Sequence, residues 1–124
     1  MTNAVNWFEI PVKDFERAKK FYSTILDHEI EDMSMPDMKY GVLPYDNKNN
    51  GIGGAIVASK GGQEPSANGT TVYLNGGDDL SIPLSKVEEA GGTILLPKTN
   101  IGENGFMAHF IDTEGNKVAL HSMN

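Results

Sequence analysis

Asn6-Trp7-Phe8-Glu9-Ile10-Pro11-Val12-Lys13-Asp14-Phe15-Glu16-Arg17-Ala18-Lys19-Lys20-Phe21-Tyr22 changes its hydrophobic period at a single residue. Before Asp14, Phe8, Ile10 and Val12 alternate with Trp7, Glu9 and Pro11, which is the period of a strand. After it, Phe15, Ala18, Phe21, Tyr22 and Ile25 recur at helical spacing. Asp14 suits the junction, because its carboxylate can accept the free N–H groups of a first helical turn. Glu16 adds negative charge where the helix dipole favours it. The spacing predicts a strand feeding a helix, with Trp7 and Glu9 on the strand face turned away from that helix.

Downstream, the strands read from the sequence are 28–33, 38–44 and 52–58. A turn cluster, Asp46 to Gly51, separates the last two. Gly53 and Gly54 are poor strand formers and imply that something approaches the backbone closely there. Ser59 to Gly69 is rich in Gly, Ser, Pro and Asn and reads as a linker. The order then recurs. Residues 70–75 form a strand, and Leu80, Leu84, Val87 and Ala90 mark a helix that Gly91-Gly92 stops. Strands follow over 93–97, 105–111 and 117–122, the last two joined by a tight turn at Asp112 to Asn116.

An offset of 66 superposes the halves, pairing Trp7 with Tyr73, Phe21 with Val87, Tyr40 with Phe106 and Asp46 with Asp112. The expected organisation is a βαβββ unit over residues 1–58, a linker over 59–69 and a second βαβββ unit over 70–124. The helix-facing set is expected to be Phe8, Ile10, Val12, Ile52, Ile56, Val72, Leu74, Val118 and Leu120. The opposite set, Trp7, Glu9, Gly53, Ala55, Tyr73, Asn75, Ala119 and His121, mixes small, aromatic and polar residues, as a cavity wall does.

Composition narrows the function. At 124 residues the length suits one domain. The net charge of −7, with Arg17 as the only arginine, argues against nucleic-acid binding. The absence of cysteine removes disulfides, thiolate metal sites and thiol catalysis. No apolar run is long enough to span a membrane, and the first residues lack the pattern of a signal peptide, so the cytoplasm is the expected location. There is no phosphate loop and no nucleophile elbow.

Two motifs, F-E-I-P-V-K-D-F-E-R-A-K-K-F-Y at Phe8 to Tyr22 and F-I-D-T-E-G-N-K-V-A-L-H at Phe110 to His121, resemble those of the vicinal oxygen chelate superfamily. That group includes glyoxalase I, extradiol dioxygenases and the bleomycin and fosfomycin resistance proteins. The resemblance implies an α+β fold in which two tandem βαβββ modules form a curved, U-shaped sheet cavity, commonly completed in a homodimer. It also implies, for metal-dependent members, His or Glu ligands on the first and last strands of each module. The matching positions here are Trp7, Gly53 or its neighbour Gly54, Tyr73 or Thr71, and Ala119. None carries a carboxylate or imidazole, so the expectation is no cofactor and no metal at those four positions.

The remaining candidates each have two readings. Glu9 is a cavity carboxylate usable as a general base, or a carboxylate hydrogen-bonded at a dimer seam. His121 is an acid–base group, or a strand histidine satisfied by backbone. Trp7 and Tyr73 clamp a flat ligand or fill the cavity with apolar bulk. Asn75 is a polar anchor. His109 reads as a buried, hydrogen-bonded histidine. Met33, Met35 and Met38 read as an adaptable rim or as residues of ordinary surface loops. The expected function is binding of a small organic molecule in the sheet cavity. The alternatives are a metal-independent or atypically metallated lyase or isomerase using Glu9 or His121, and a structural dimer.

Overall fold

The change of period at Asp14 appears in the fold. β1 is Trp7–Pro11 and α1 is Phe15–Leu26. Between them Asp14 has extended backbone, and its carboxylate accepts the N–H of Arg17 at 3.1 Å. The helix ends at Asp27, whose left-handed backbone lets its N–H reach the carbonyls of Ser23 and Thr24. The computed structural model describes residues 3–124.

β1 lies at the edge of a four-stranded sheet. It pairs in parallel with β4 (Gly53–Ser59), which pairs antiparallel with β3 (Met38–Val42), and that with β2 (Glu31–Asp32). The second sheet repeats the plan. β5 (Val72–Asn75) is parallel to β8 (Lys117–Ser122), followed by antiparallel β7 (Phe106–Ile111) and β6 (Thr93–Asn100). Both sheets are therefore mixed, and in each the first strand is an edge lying beside the last. The stretch between β4 and β5 carries no helix or strand, and Ser66 N–H donates to Asn116 Oδ1 at 3.0 Å.

Two elements are shorter than their sequence patterns. The strand expected over 28–33 is reduced to Glu31–Asp32, both exposed. The helix expected from Leu80 to Ala90 is regular only over α2 (Ser81–Leu84). Beyond it Lys86 and Val87 donate to residues three back, so the chain continues as tight turns. Leu80, Leu84 and Val87 are nonetheless buried. Their spacing serves a turn-by-turn coil as well as a helix.

The core lies where α1 meets both sheets. Phe15, Ala18, Phe21, Tyr22 and Ile25 are buried with Ile10 and Ile56 of the first sheet and Leu74, Phe110, Val118 and Leu120 of the second. Phe21 sits 5.8 Å from Phe110, ring to ring. Burying each of these large side chains contributes about 1.5–3 kcal/mol. Ile52 is not part of this set. It precedes β4 and is 37% exposed, because the alternation starts only at Gly53.

A buried polar network joins the halves. The turn after β7 folds onto the junction before α1. Glu114, its side chain fully enclosed, accepts the N–H of Lys13 at 2.9 Å and of Asp14 at 2.7 Å, and meets Arg17 Nε at 2.7 Å. Asp112 accepts the Tyr22 hydroxyl at 2.6 Å, and Asn116 Nδ2 donates to the Pro11 carbonyl at 2.7 Å. The two motifs that carry the resemblance thus touch each other in space.

One pairing from the internal repeat is out by a residue. Ile56 and Ser122 are 66 apart, but Gly41 faces Ile56 whereas Phe106 faces Ser122. Phe106 therefore corresponds to Gly41, not Tyr40. A one-residue slip moves a side chain to the other face, and Tyr40 stands on the face away from the helix.

Candidate functional site

On the helix-free face of the first sheet, Trp7 pairs with Gly53 and Glu9 with Ala55. Tyr40 comes from β3, two strands and about 10 Å from β1. Its hydroxyl donates to Glu9 Oε2 at 2.7 Å and accepts the Trp7 indole N–H at 2.8 Å. The bridge crosses β4, where Ala55 is completely buried. Only small residues on the middle strand leave room for it. Burial, then the Glu9 hydrogen bond, raise the Tyr40 phenol above its ordinary pKa, against a smaller opposing effect of the Trp7 N–H.

The second sheet uses the same device with the tyrosine on the other strand. Tyr73 of β5 reaches over β8 to His109 of β7, its hydroxyl 3.0 Å from Nε2 and 3.7 Å from Met107 Sδ. Ala119 pairs with both Tyr73 and His109 and is fully buried between them. Burial, with a smaller effect of the Lys117 charge, lowers the His109 pKa, so the ring is held towards its neutral form.

The glycines show what approaches the backbone. A Cβ on Gly53 would lie 2.5 Å from the Tyr45 ring, and one on Gly54 2.5 Å from the Phe8 ring. Tyr45 stands edge-on to Trp7 at 5.6 Å. The bare backbone of β4 is therefore covered by aromatic rings on both faces. This fixes Gly53, not Gly54, as the partner of Trp7 on the helix-free face.

The two sheets meet along a groove of about 720 Å³ between β1 and β5. Trp7 and Tyr73, 38% and 50% exposed, both line it. A broader hollow of about 1230 Å³ lies on the far side of Trp7, against β2 and the outer side of α1, lined by Lys19, Lys20, Glu16 and Asp32 among others.

Trp7 and Tyr73 come together in the groove, with Asn75 on the same wall. Asn75 Oδ1 accepts the Gly77 N–H at 2.8 Å, so part of its amide closes its own turn. Glu9 is exposed and bonded to Tyr40. His121 Nε2 donates to the Asn104 carbonyl at 2.7 Å, the backbone-satisfied arrangement. Glu9 and His121 remain in separate sheets, each with its own partner. His109 is hydrogen-bonded as expected, but it is half-buried on the helix-free face and not enclosed in the core.

Tyr40 and His109 are the residues that sequence reasoning missed as members of this face. Register places each of them there. Gly41 sits beneath α1, which forces Tyr40 to the other side, and His109 is opposite Ala119, already assigned to that side.

The four positions at which the resemblance implies metal ligands are paired as Trp7 with Gly53 and Tyr73 with Ala119. Glycine and alanine side chains offer no donor atom. The indole nitrogen is a hydrogen-bond donor only, here committed to Tyr40, and the phenol is engaged with His109. These residues do not fit a divalent ion, which requires several oxygen or nitrogen ligands in fixed geometry. Among the described residues, no three His, Asp or Glu side chains are grouped to hold an ion elsewhere. No helix of the described residues is long and apolar enough to cross a membrane.

The family model for the Glyoxalase/Bleomycin resistance protein/Dioxygenase superfamily matches residues 4–120. The chain is 28% identical over 122 residues to CFP32 of Mycobacterium bovis, whose name assigns it provisionally to the glyoxylases. The match covers 96% of this chain but 45% of that protein, so the chain spans about half the length of the relative. Among solved structures, a single-substitution variant of glyoxalase I from Zea mays matches with a TM-score of 0.74 and 25% identity, over 94% of this chain and 44% of that one. A glyoxalase/bleomycin resistance protein from Albidiferax ferrireducens matches over 98% of this chain and 100% of its own, with a TM-score of 0.71 and 18% identity. That last likeness speaks for the fold alone.

Proposed function

The chain belongs to the glyoxalase/bleomycin resistance protein/dioxygenase superfamily, and from that premise we propose that it binds a small organic molecule between its two sheets, without a metal held at the family's four positions. The observation that carries this reading is that Trp7 and Tyr73, from different sheets, line one groove of about 720 Å³. That size suits a small ligand, and aromatic walls give a large contact area at low entropic cost. The hydrogen bonds to Tyr40 and His109 fix both rings from behind, so they are pre-organised.

The test is a small-molecule screen read on the indole N–H cross-peak of Trp7, the only tryptophan. Ligands that shift this peak are expected to lose at least about tenfold in affinity in Tyr73→Ala. A broad screen that never moves the peak, or hits indifferent to Tyr73→Ala, overturns the reading.

A second reading is catalytic, and Glu9 favours it. Its carboxylate is held at 2.7 Å by Tyr40 on the open face, where it can accept a proton from a bound molecule. It would serve a lyase or isomerase that removes a proton beside a carbonyl. Glu9→Gln would abolish such turnover while leaving binding intact. His121, tied to Asn104, has less freedom for the same role.

The open face also supports a homodimer. A second copy laid on it would enclose Trp7 and Tyr73, which are left partly exposed in one chain. Light scattering at micromolar concentration is expected to give twice the 13.5 kDa chain mass.

A further inference from the structure

Resting on the reading of the groove as a ligand site, we propose that its ligand is uncharged, flat and largely apolar: an aromatic compound of two or three rings bearing hydroxyl or carbonyl groups, and not a carboxylate, phosphate or ammonium.

The walls carry the first argument. They are formed by Trp7 and Phe8 of β1, Leu26 at the end of α1, Leu43 and Ile52 of the loop before β4, and Tyr73 of β5. The chain contains 17 acidic and 10 basic residues, yet among the described residues no Asp, Glu, Lys, Arg or His side chain lines this groove. A charged ligand would lose water there and meet no partner, a cost that falls on both signs. The net charge of −7 adds a general repulsion for anions.

The hydrogen-bonding capacity carries the second. The polar groups with the most directional reach are already engaged: the Trp7 indole with Tyr40, the Tyr73 hydroxyl with His109, and Asn75 Oδ1 with Gly77. What remains among the side chains is the Asn75 amide N–H₂ and the hydroxyls of Thr70 and Thr71, beside the outward backbone groups of the edge strands β1 and β5. These can serve one or two neutral polar substituents. They cannot replace the hydration of an ion.

The neighbouring hollow supplies the contrast. It borders the same tryptophan, but Glu16, Lys19, Lys20 and Asp32 line it. The charge therefore lies on one side of Trp7, and the groove on the other side is kept free of it.

One scaffold in three charge states tests the proposal: 2-naphthol, 2-naphthoate and 2-naphthylmethylammonium at neutral pH, each titrated into the full chain and followed on the Trp7 indole cross-peak. The naphthol is expected to bind at least about tenfold more tightly than either ion. In Ile52→Asp, a change at a partly exposed wall that leaves the core untouched, the naphthol is expected to weaken and the ammonium to gain. Equal or tighter binding of an ion to the unaltered chain overturns the proposed ligand class and leaves the groove a ligand site. No saturable shift with any of the three overturns both.

Discussion

The hydroxyl of Tyr73 and Nε2 of His109 stand 3.0 Å apart across a strand that belongs to neither, with Ala119 paired to both beneath them. The contact needs a small residue on the middle strand, because the side chains must pass over it. Tyr40 and Glu9 meet across β4 on a diagonal, since Glu9 pairs with the buried Ala55 and Tyr40 with Val57. Each sheet thus lays an aromatic bridge over the strand where the family's metal-dependent members are expected to place a ligand.

The bridge predicts how His109 titrates. Its pKa lies below the usual 6.5, because burial and, to a smaller extent, Lys117 disfavour the imidazolium. Below pH 6.5 the unfolded chain then takes up the proton more readily than the folded one, so stability contributed at this site falls as pH drops. Lys117→Ala should raise the midpoint towards 6.5 by removing the nearby positive charge. Histidine ring NMR across the pH range checks both. A midpoint at or above 6.5 in the unaltered chain would refute this reading.

A second prediction concerns the turn that locks onto α1. Burial alone would raise the pKa of Glu114. Hydrogen bonds from Arg17, from the Asp14 and Lys13 N–H groups and from Thr113 outweigh it and hold the carboxyl at about 2. A lowered carboxyl pKa contributes stability that is fully present above the unfolded value near 4.5 and is lost as pH falls towards 2. Glu114→Ala also leaves two backbone N–H groups without their acceptor, and should cost about 3 kcal/mol in denaturant unfolding. The acid limb of the stability curve should flatten in the same variant. An unchanged acid limb would assign acid sensitivity to other carboxylates.

Much of the architecture was legible because it is local. Asp14 announces a strand-to-helix junction by its neighbours alone, and the alternation of Val72, Leu74, Val118 and Leu120 gives their face without knowledge of partners. What was not legible depended on register. The repeat matches Tyr40 to Phe106 by chemical type, and a one-residue difference in register puts the two on different faces. His109 had apolar neighbours on both sides in sequence, so only its cross-strand partner decides where it points. The role of Glu114 was invisible for a different reason. Its acceptors' donors, Lys13 and Asp14, are about 100 residues away in the chain, and nothing in a five-residue turn indicates them. The glycines of β4 did signal close approach, although the approaching groups are Tyr45 and Phe8 of the same chain.

The metal expectation follows from donor chemistry. Trp7, Gly53, Tyr73 and Ala119 together offer one phenol oxygen, and that oxygen is hydrogen-bonded to His109. Elemental analysis of protein purified without chelator, combined with anomalous scattering, is expected to place no stoichiometric zinc, nickel or iron at these four positions. One such ion there would require Tyr73 to leave His109 and would overturn the donor argument.

The bridge in the first sheet makes the last prediction. Tyr40 links a hydrogen-bond donor, Trp7, to an acceptor, Glu9, so its loss should be felt on both sides at once. In Tyr40→Phe the indole N–H turns to water and its cross-peak should shift, while Glu9 loses the contact that orients it on the open face. The stability change should be small, about 0.5–1.5 kcal/mol, because the groups are partly exposed and water can replace the missing hydroxyl. Titration of the phenol separates the causes. Burial first, then Glu9, raises its pKa above 10. Glu9→Gln removes the negative neighbour and makes the phenolate easier to form, so the midpoint should move back down without reaching the value of a free tyrosine. Tyrosine-selective NMR is needed, since the chain has four tyrosines and burial beside Asp112 raises Tyr22 much further. If Glu9→Gln leaves the Tyr40 midpoint in place, the hydrogen bond does not carry the coupling, and Glu9 is free to reorient when a ligand arrives.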